Sequence, residues 1–364
     1  MENGIDNLKL ETGDENMSKS GNILRRNKTI YYLCKSLKHI NDKKYIEEFL
    51  GQEGDPLLWK FHTYGNKNFT KIIYIVTENG NGWGFFAEFR AMLTKLKFAN
   101  RYGMIPYMRW GKGFLYYEPE PVNGTLNAYE YFFDQPSIKS IGEVNESRMV
   151  MESKPSQAHM IEVEYKNELY DMSREYLDDM ADMYAKYVHL NKDMDIKIEN
   201  EIKNLFGEKK TLGVHFRGTD FHMGYKNHPI AVSIEQEIKY AKQALENGFE
   251  QIFLATDEME AINKFKVELG DKVVFFDDVY RGNSEVSVAF SQDSRNLHRY
   301  RLGYEVLRDM YTLSRCSGLI AGLSQVVNCA RIVKKSKNEN YEYLNIINNG
   351  ISSKAKSFSQ RDTK

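Results

Sequence analysis

The sequence predicts an α/β fold of two Rossmann-like domains facing a cleft. Short β-branched runs alternate with stretches whose apolar residues recur every three or four positions, the signatures of strand and helix. The alternation comes in two separate series, one ending near residue 190 and one starting near residue 210. A series of this kind builds a parallel sheet flanked by helices. These observations set an N-terminal domain at 29–200 and a C-terminal domain at 201–351, between a disordered tail at 1–28 and a flexible tail at 352–364.

In the first series, the run 71–77 (KIIYIVT) is a buried strand. It leads into a loop with Gly80, Gly82 and Gly84, and a helical period follows over 85–101. Residues 104–108 read as the next strand, whereas 109–155 is rich in Gly, Pro, Tyr and Asn and carries no clear period. Leu169, Met172, Tyr176, Met180, Met183 and Tyr187 then predict one long helix over 165–188. The second series reads as strand 212–216, helix 233–247, strand 251–255 and helix 258–269, the last opened by Thr256-Asp257 as cap. Strand 273–276, helix 301–314, strand 318–321 and helix 324–333 complete it.

Composition removes several classes of function. Lys+Arg number 50 and Asp+Glu 51, a net charge of -1, which excludes the basic balance of a bulk nucleic-acid binder. Three cysteines, Cys34, Cys316 and Cys329, show neither CxxC nor Cys/His spacing, which argues against structural zinc or a disulfide scaffold. No apolar run approaches 18 residues and the start lacks a basic-then-apolar order, so neither a membrane span nor a signal peptide is expected. The expected home is a reducing cytoplasm. Aromatic residues make up 13% of the chain, with 24 Tyr, which suits a surface that stacks on flat or sugar ligands or a Tyr-rich core.

Three strand ends in the second series carry chemistry. His215, Arg217 and Asp220 stand at the end of the first strand, where open α/β sheets bind ligands. His215 and Arg217, two apart, share a face, and an arginine there can clamp phosphate with a planar fork. The structural alternative is an ion pair of Arg217 with Asp220. The next strand end offers Asp257, either to a ribose or as a plain helix cap. The last runs through a small-residue turn into Ser324 and Gln325, whose polar groups and backbone N–H groups suit an anion, with helix capping again the alternative. Together the three ends predict a nucleotide site. The loop of Gly80, Gly82 and Gly84 adds a strand-to-helix turn, although the GxGxxG dinucleotide pattern would need glycine at Phe85.

HFRGTDF, ATDE and LSRCSGLIAGLSQVV, in this order and spacing, resemble the three motifs of the α-1,6/α-1,2/protein O-fucosyltransferase superfamily. The likeness is greatest to the α-1,6 branch of nodulation and core fucosyltransferases. It covers roughly residues 210–335, and the NGNGWGFF loop resembles the glycine loop that opens the first domain of that family. The resemblance implies a GT-B-like pair of Rossmann domains, GDP-fucose as donor substrate, inverting transfer to a glycan hydroxyl, and no metal or other cofactor. It implies that Arg217 contacts the β-phosphate, that His215 and Asp309 contact guanine, and that Ser324 and Gln325 bind phosphate. The chain departs from the family twice: Gly218 stands where a second motif arginine is expected, and FHMGYKNHP lacks the glutamate proposed as base. The missing membrane anchor fits a soluble, bacterial-type enzyme.

The chemistry of such a transfer is consistent with these residues. The departing GDP gains negative charge that a cationic fork can meet, and the N1–H and N2–H donors of guanine want a carboxylate such as Asp309. An acceptor hydroxyl needs a base within hydrogen-bond reach, for which Glu78, Glu88, Asp220 and His222 are candidates, the last two first by position. Two other classes compete: a non-catalytic nucleotide- or glycan-binding protein on the same scaffold, and an NAD(P)-binding Rossmann enzyme built on the glycine loop.

Overall fold

The computed structural model describes residues 61–353, apart from 81, 139, 168–169, 219–226 and 283–286. The expected tail at 1–28 and nearly all of the tail at 352–364 lie outside the described residues. Contacts group Trp59–Lys364 into one compact unit.

Two sheets organise this unit, as the two series require. The first has β1 (Phe61–His62), β2 (Ile73–Thr77), β3 (Ile105–Arg109) and β4 (Val150–Glu152), in the order β1-β4-β2-β3. β2 pairs in parallel with both β3 and β4, and only the edge strand β1 runs antiparallel. Helix α1 (Phe85–Arg101) joins β2 to β3 with the bounds the sequence predicts. α2 (Ile141–Asn145), α3 (Pro155–Glu162), α4 (Arg174–Tyr187) and α5 (Lys192–Phe206) lead to the second sheet.

That sheet is wholly parallel, in the order β7-β6-β5-β8-β9. Its strands are β5 (Thr211–Phe216), β6 (Gln251–Thr256), β7 (Val273–Val274), β8 (Gly318–Gly322) and β9 (Tyr343–Ile347). The connecting helices are α6 (Ile234–Glu246), α7 (Met259–Leu269), α8 (His298–Arg315) and α9 (Gln325–Ser336). Every residue of β5 and β6 is buried, as expected of inner strands covered by helices on both faces.

The long helix expected over 165–188 is shorter. Tyr170 takes a left-handed backbone (φ 65°), and Ser173 caps the true start by accepting from the Tyr176 N–H. The expected strand 273–276 is confined to Val273–Val274. Thr256-Asp257 does not cap α7. The N-cap is Glu258, whose N–H donates to Thr256 Oγ1, while Asp257 turns to the site described below. Among the described residues no helix is long and apolar enough to cross a membrane.

One apolar cluster joins the two sheets. It includes Phe85, Phe89 and Phe132 from the first half and Leu307, Met310, Val327 and Ile332 from the second. α9 packs on both α4 and α1, although it belongs to the second sheet. Polar ties follow the same path: Asn328 Nδ2 donates to Tyr170 O at 2.9 Å, and the Tyr184 and Tyr311 hydroxyls meet at 2.5 Å.

α8 keeps Gly303 where it crosses the first half. An added Cβ there would lie 2.9 Å from Phe132 Cζ and 3.2 Å from Tyr116 Cβ. Phe132 is fully buried and stacks on Tyr300, so its ring has no room to move. Gly303→Ala therefore sets a helix-propensity gain of about 1 kcal/mol against overpacking of about 1–3 kcal/mol. The expected outcome is a net loss of stability, read as a lower urea midpoint with an unchanged slope.

Candidate functional site

β5 and β6 end side by side, with Phe216 in register with Thr256. This places Arg217 and Asp257, the next residue of each chain segment, at one sheet end, where their side chains form an ion pair (Nη1 to Oδ2, 2.8 Å). Asp257 Oδ1 also accepts from the Gly218 N–H at 3.1 Å, and Arg217 Nη2 donates to Ser287 Oγ at 3.3 Å. Among the described residues Arg217 pairs with Asp257, so the sheet end supplies an ion pair besides the one with Asp220 that the sequence offers. Asp220 and His222 lie outside the described residues.

An open cavity lies against this pair, lined among others by His215, Arg217, Asp257, Asp309, Tyr116 and Tyr280. Four sequence-selected residues from β5, β6 and α8 thus meet in one space. Burial pushes the His215 imidazole down to about 4, helped by the Arg217 charge, so the ring is neutral at pH 7. Its Nδ1 is buried without a hydrogen-bond partner. Burial pushes the Asp309 carboxyl up to about 7, against the opposing pull of Arg308 and Arg281.

Sequence reasoning missed several walls of the cavity. Tyr116 reaches it from the irregular stretch of the first half, and its hydroxyl accepts from the Phe85 N–H at 3.4 Å, the first residue of α1. Tyr280 is held by Glu305, which accepts from its N–H at 3.1 Å, while Arg295 bonds Glu305 at 2.5 Å. An aromatic residue between acidic and basic neighbours offered no period or motif by which to find it.

The remaining candidates are placed as follows. Ser324 caps α9 by accepting from the Val326 N–H at 3.2 Å, and Val326 lines the cavity. Gln325 Oε1 is buried without a partner. Gly80 and Gly82 take left-handed backbone (φ 73° and 69°), which explains glycine at both, whereas Gly84 is the extended N-cap of α1. Trp83 between them is exposed.

Glu78 accepts from the Gly111 and Gly113 N–H groups, both at 3.1 Å, and so braces the neighbouring loop. Glu88 is buried and accepts from the Asn79 N–H at 2.9 Å, its acidity weakened by burial. Beside it, Lys95 is pushed down to about 8 by burial and donates to Thr77 O and Asn79 Oδ1. Neither acid lines the cavity.

At Gly218 an added Cβ would fall 1.9 Å from Glu258 Oε2 and 2.9 Å from Glu258 Cβ, so a side chain there requires Glu258 to shift. Among the described residues no group of three or more His, Cys, Asp or Glu side chains could hold a metal ion.

No family model matches this chain, and no curated protein matches it. Among solved structures it is similar to NodZ α-1,6-fucosyltransferase soaked with GDP-fucose, at 15% identity over 72% of this chain and 92% of that one, with a TM-score of 0.44. A NodZ structure from Bradyrhizobium gives 16% identity over 71% and 91%, with a TM-score of 0.42. POFUT1 in complex with GDP-fucose gives 9% identity over 76% and 98%, also with a TM-score of 0.42.

The raised Asp309 predicts a pH dependence. The folded state holds its proton up to about pH 7, while the unfolded state releases it near its ordinary value of 3.8. Between these values the native state binds more protons, so Asp309 costs stability as pH rises, by a few kcal/mol in full. Asp309→Asn is accordingly expected to gain melting temperature relative to the parent as pH rises from 4 to 8, in parallel thermal melts. A difference that does not change with pH would refute the assignment.

Proposed function

We propose that the chain is a GDP-fucose-dependent glycosyltransferase, which transfers fucose with inversion to a hydroxyl of an oligosaccharide or polysaccharide. The observation that carries this reading is the single cavity shared by His215, Arg217, Asp257 and Asp309. These are residues of the motifs that resemble the fucosyltransferase superfamily, or stand at its motif positions. The 201–351 half takes the sugar nucleotide and the 29–200 half takes the acceptor.

Each residue has work in that reaction. Asp309, once ionised, accepts the N1–H and N2–H donors of guanine, and His215 offers a neutral ring nitrogen beside it. Arg217 faces the phosphates, with Asp257 fixing its plane through the ion pair. The N-terminus of α9 at Ser324 and Gln325 adds a positive dipole end. The acceptor hydroxyl attacks the anomeric carbon as the bond to the β-phosphate oxygen breaks on the opposite face. The acceptor proton passes to a base, Asp220 or His222 by position, and the GDP leaves with its growing charge met by Arg217. The reaction as drawn uses no metal, because the guanidinium and the helix end supply the positive charge.

The test is Arg217→Ala. Losing one preorganised donor to the leaving phosphate is expected to lower transfer about 10²–10³-fold, or about 3–4 kcal/mol. Arg217→Lys is expected to recover little, since an ammonium lacks the planar fork. Because Asp257 then loses its partner, melting temperature is measured on the same samples and turnover is expressed per folded molecule. Near-normal turnover in folded Arg217→Ala would remove Arg217 from the mechanism.

A further inference from the structure

The chain just before α8 folds back onto the cavity wall. Leu297, the N-cap of α8, takes a left-handed backbone (φ 52°), and Arg295 before it reaches Glu305, ten residues on. The guanidinium grips both carboxyl oxygens, Nη1 to Oε1 at 2.5 Å and Nη2 to Oε2 at 3.2 Å. Its Nε donates to His298 Nδ1 at 2.8 Å, and its central carbon lies 5.1 Å from the centre of the Tyr280 ring. His298 meets that ring edge-on at 5.5 Å. All three guanidinium nitrogens are thus spent on the cavity wall and its backing, in a pair whose side chains are only 19% and 7% exposed. An enclosed ion pair of this kind is a weak source of net stability, because both charges give up water to form it. Its place beside a ligand cavity points to control of the cavity's charge instead.

We propose that Arg295 is a positioning residue for the nucleotide: it balances the Glu305 carboxylate and locks it against Tyr280, so that Asp309 alone of the two acids on α8 is left to meet the ligand. The inference rests on the nucleotide-sugar reading above. Among the described lining residues the acids are Asp257, Glu305 and Asp309, and the cation is Arg217. Asp257 already takes Arg217 as its partner. Without Arg295 the cavity would present an unbalanced carboxylate to an anionic nucleotide, one helical turn from the acid that is to meet guanine. Glu305 and Asp278 oppose ionisation of Asp309, and Arg308 and Arg281 favour it. Arg295 restrains the nearer of the two opposing acids by the bidentate geometry that only a guanidinium provides. The same carboxylate accepts from the Tyr280 N–H at 3.1 Å, so one side chain sets both the charge and the shape of this wall.

The test measures GDP binding by calorimetry at pH 8 on the full chain and two variants. Arg295→Ala is expected to weaken GDP about tenfold, the scale of one unbalanced charge acting on an anion in a partly buried site. The double variant Arg295→Ala/Glu305→Gln removes that charge and keeps an oxygen to accept from the Tyr280 N–H. It is expected to return to within about threefold of the parent. A role in packing alone predicts the reverse, since the second substitution would only add to the damage. The double variant also lacks the buried carboxylate that Arg295→Ala leaves without its cation, so it decides even where the single variant fails to fold. A double variant weakened tenfold or more, or parent-like affinity in Arg295→Ala, overturns the inference and leaves the nucleotide reading intact. A parent chain that does not bind GDP overturns both.

Discussion

The seating of α9 on α4 and α1 is the constraint from which the site follows. The helix starts at the end of β8, beside the ion pair of Arg217 and Asp257, and its body is buried in the half that does not contain its sheet. Val327, Cys329, Ala330 and Val333 are all buried along it. Lys335 reaches Asp178 at 3.1 Å on the far side, and Asn328 ties down the backbone at Tyr170. With α9 fixed in this way, α8 presses Gly303 against Tyr116, and Tyr116 becomes a wall of the cavity. The cavity therefore draws residues from both halves of the chain.

Within it, burial sets the electrostatics more than pairing does. His215 is held neutral and Asp309 sits near the middle of the physiological range, each mainly through loss of water. Arg217 and Asp257 form the ion pair at its edge. His215 Nδ1 is also buried without a hydrogen-bond partner.

Much of this was legible in the sequence wherever local chemistry and tertiary packing agree. α1 has its predicted bounds because Phe85, Phe89, Met92, Leu96 and Ala99 bury one face between a glycine turn and Gly103. β5, β6 and β8 were found because buried parallel strands are continuous apolar runs. The rest failed for identifiable reasons. β4 has three residues, too short for any period, and the strand expected at 273–276 keeps only Val273–Val274. The apolar spacing that begins at Tyr165 crosses a left-handed residue that pattern alone does not reveal. α5 carries a readable signal in Met194, Ile198 and Ile202, buried four apart, within the stretch between the two series. At the site, His215, Arg217, Asp257 and Asp309 were legible because strand ends and motif order mark them. Tyr116 and Tyr280 were not, since they reach the cavity from irregular stretches whose course depends on tertiary packing.

The bond between the Tyr116 hydroxyl and the Phe85 N–H joins a wall of the ligand cavity to the first peptide of α1. Tyr116 is buried and its ring packs at 5.4 Å on Phe85, so it cannot swing aside alone. Ligand entry that displaces this ring must also move the end of the glycine turn that carries Trp83. The cavity wall at Tyr116 and the start of α1, two residues after the exposed Trp83, are thereby joined as one packed piece of the molecule.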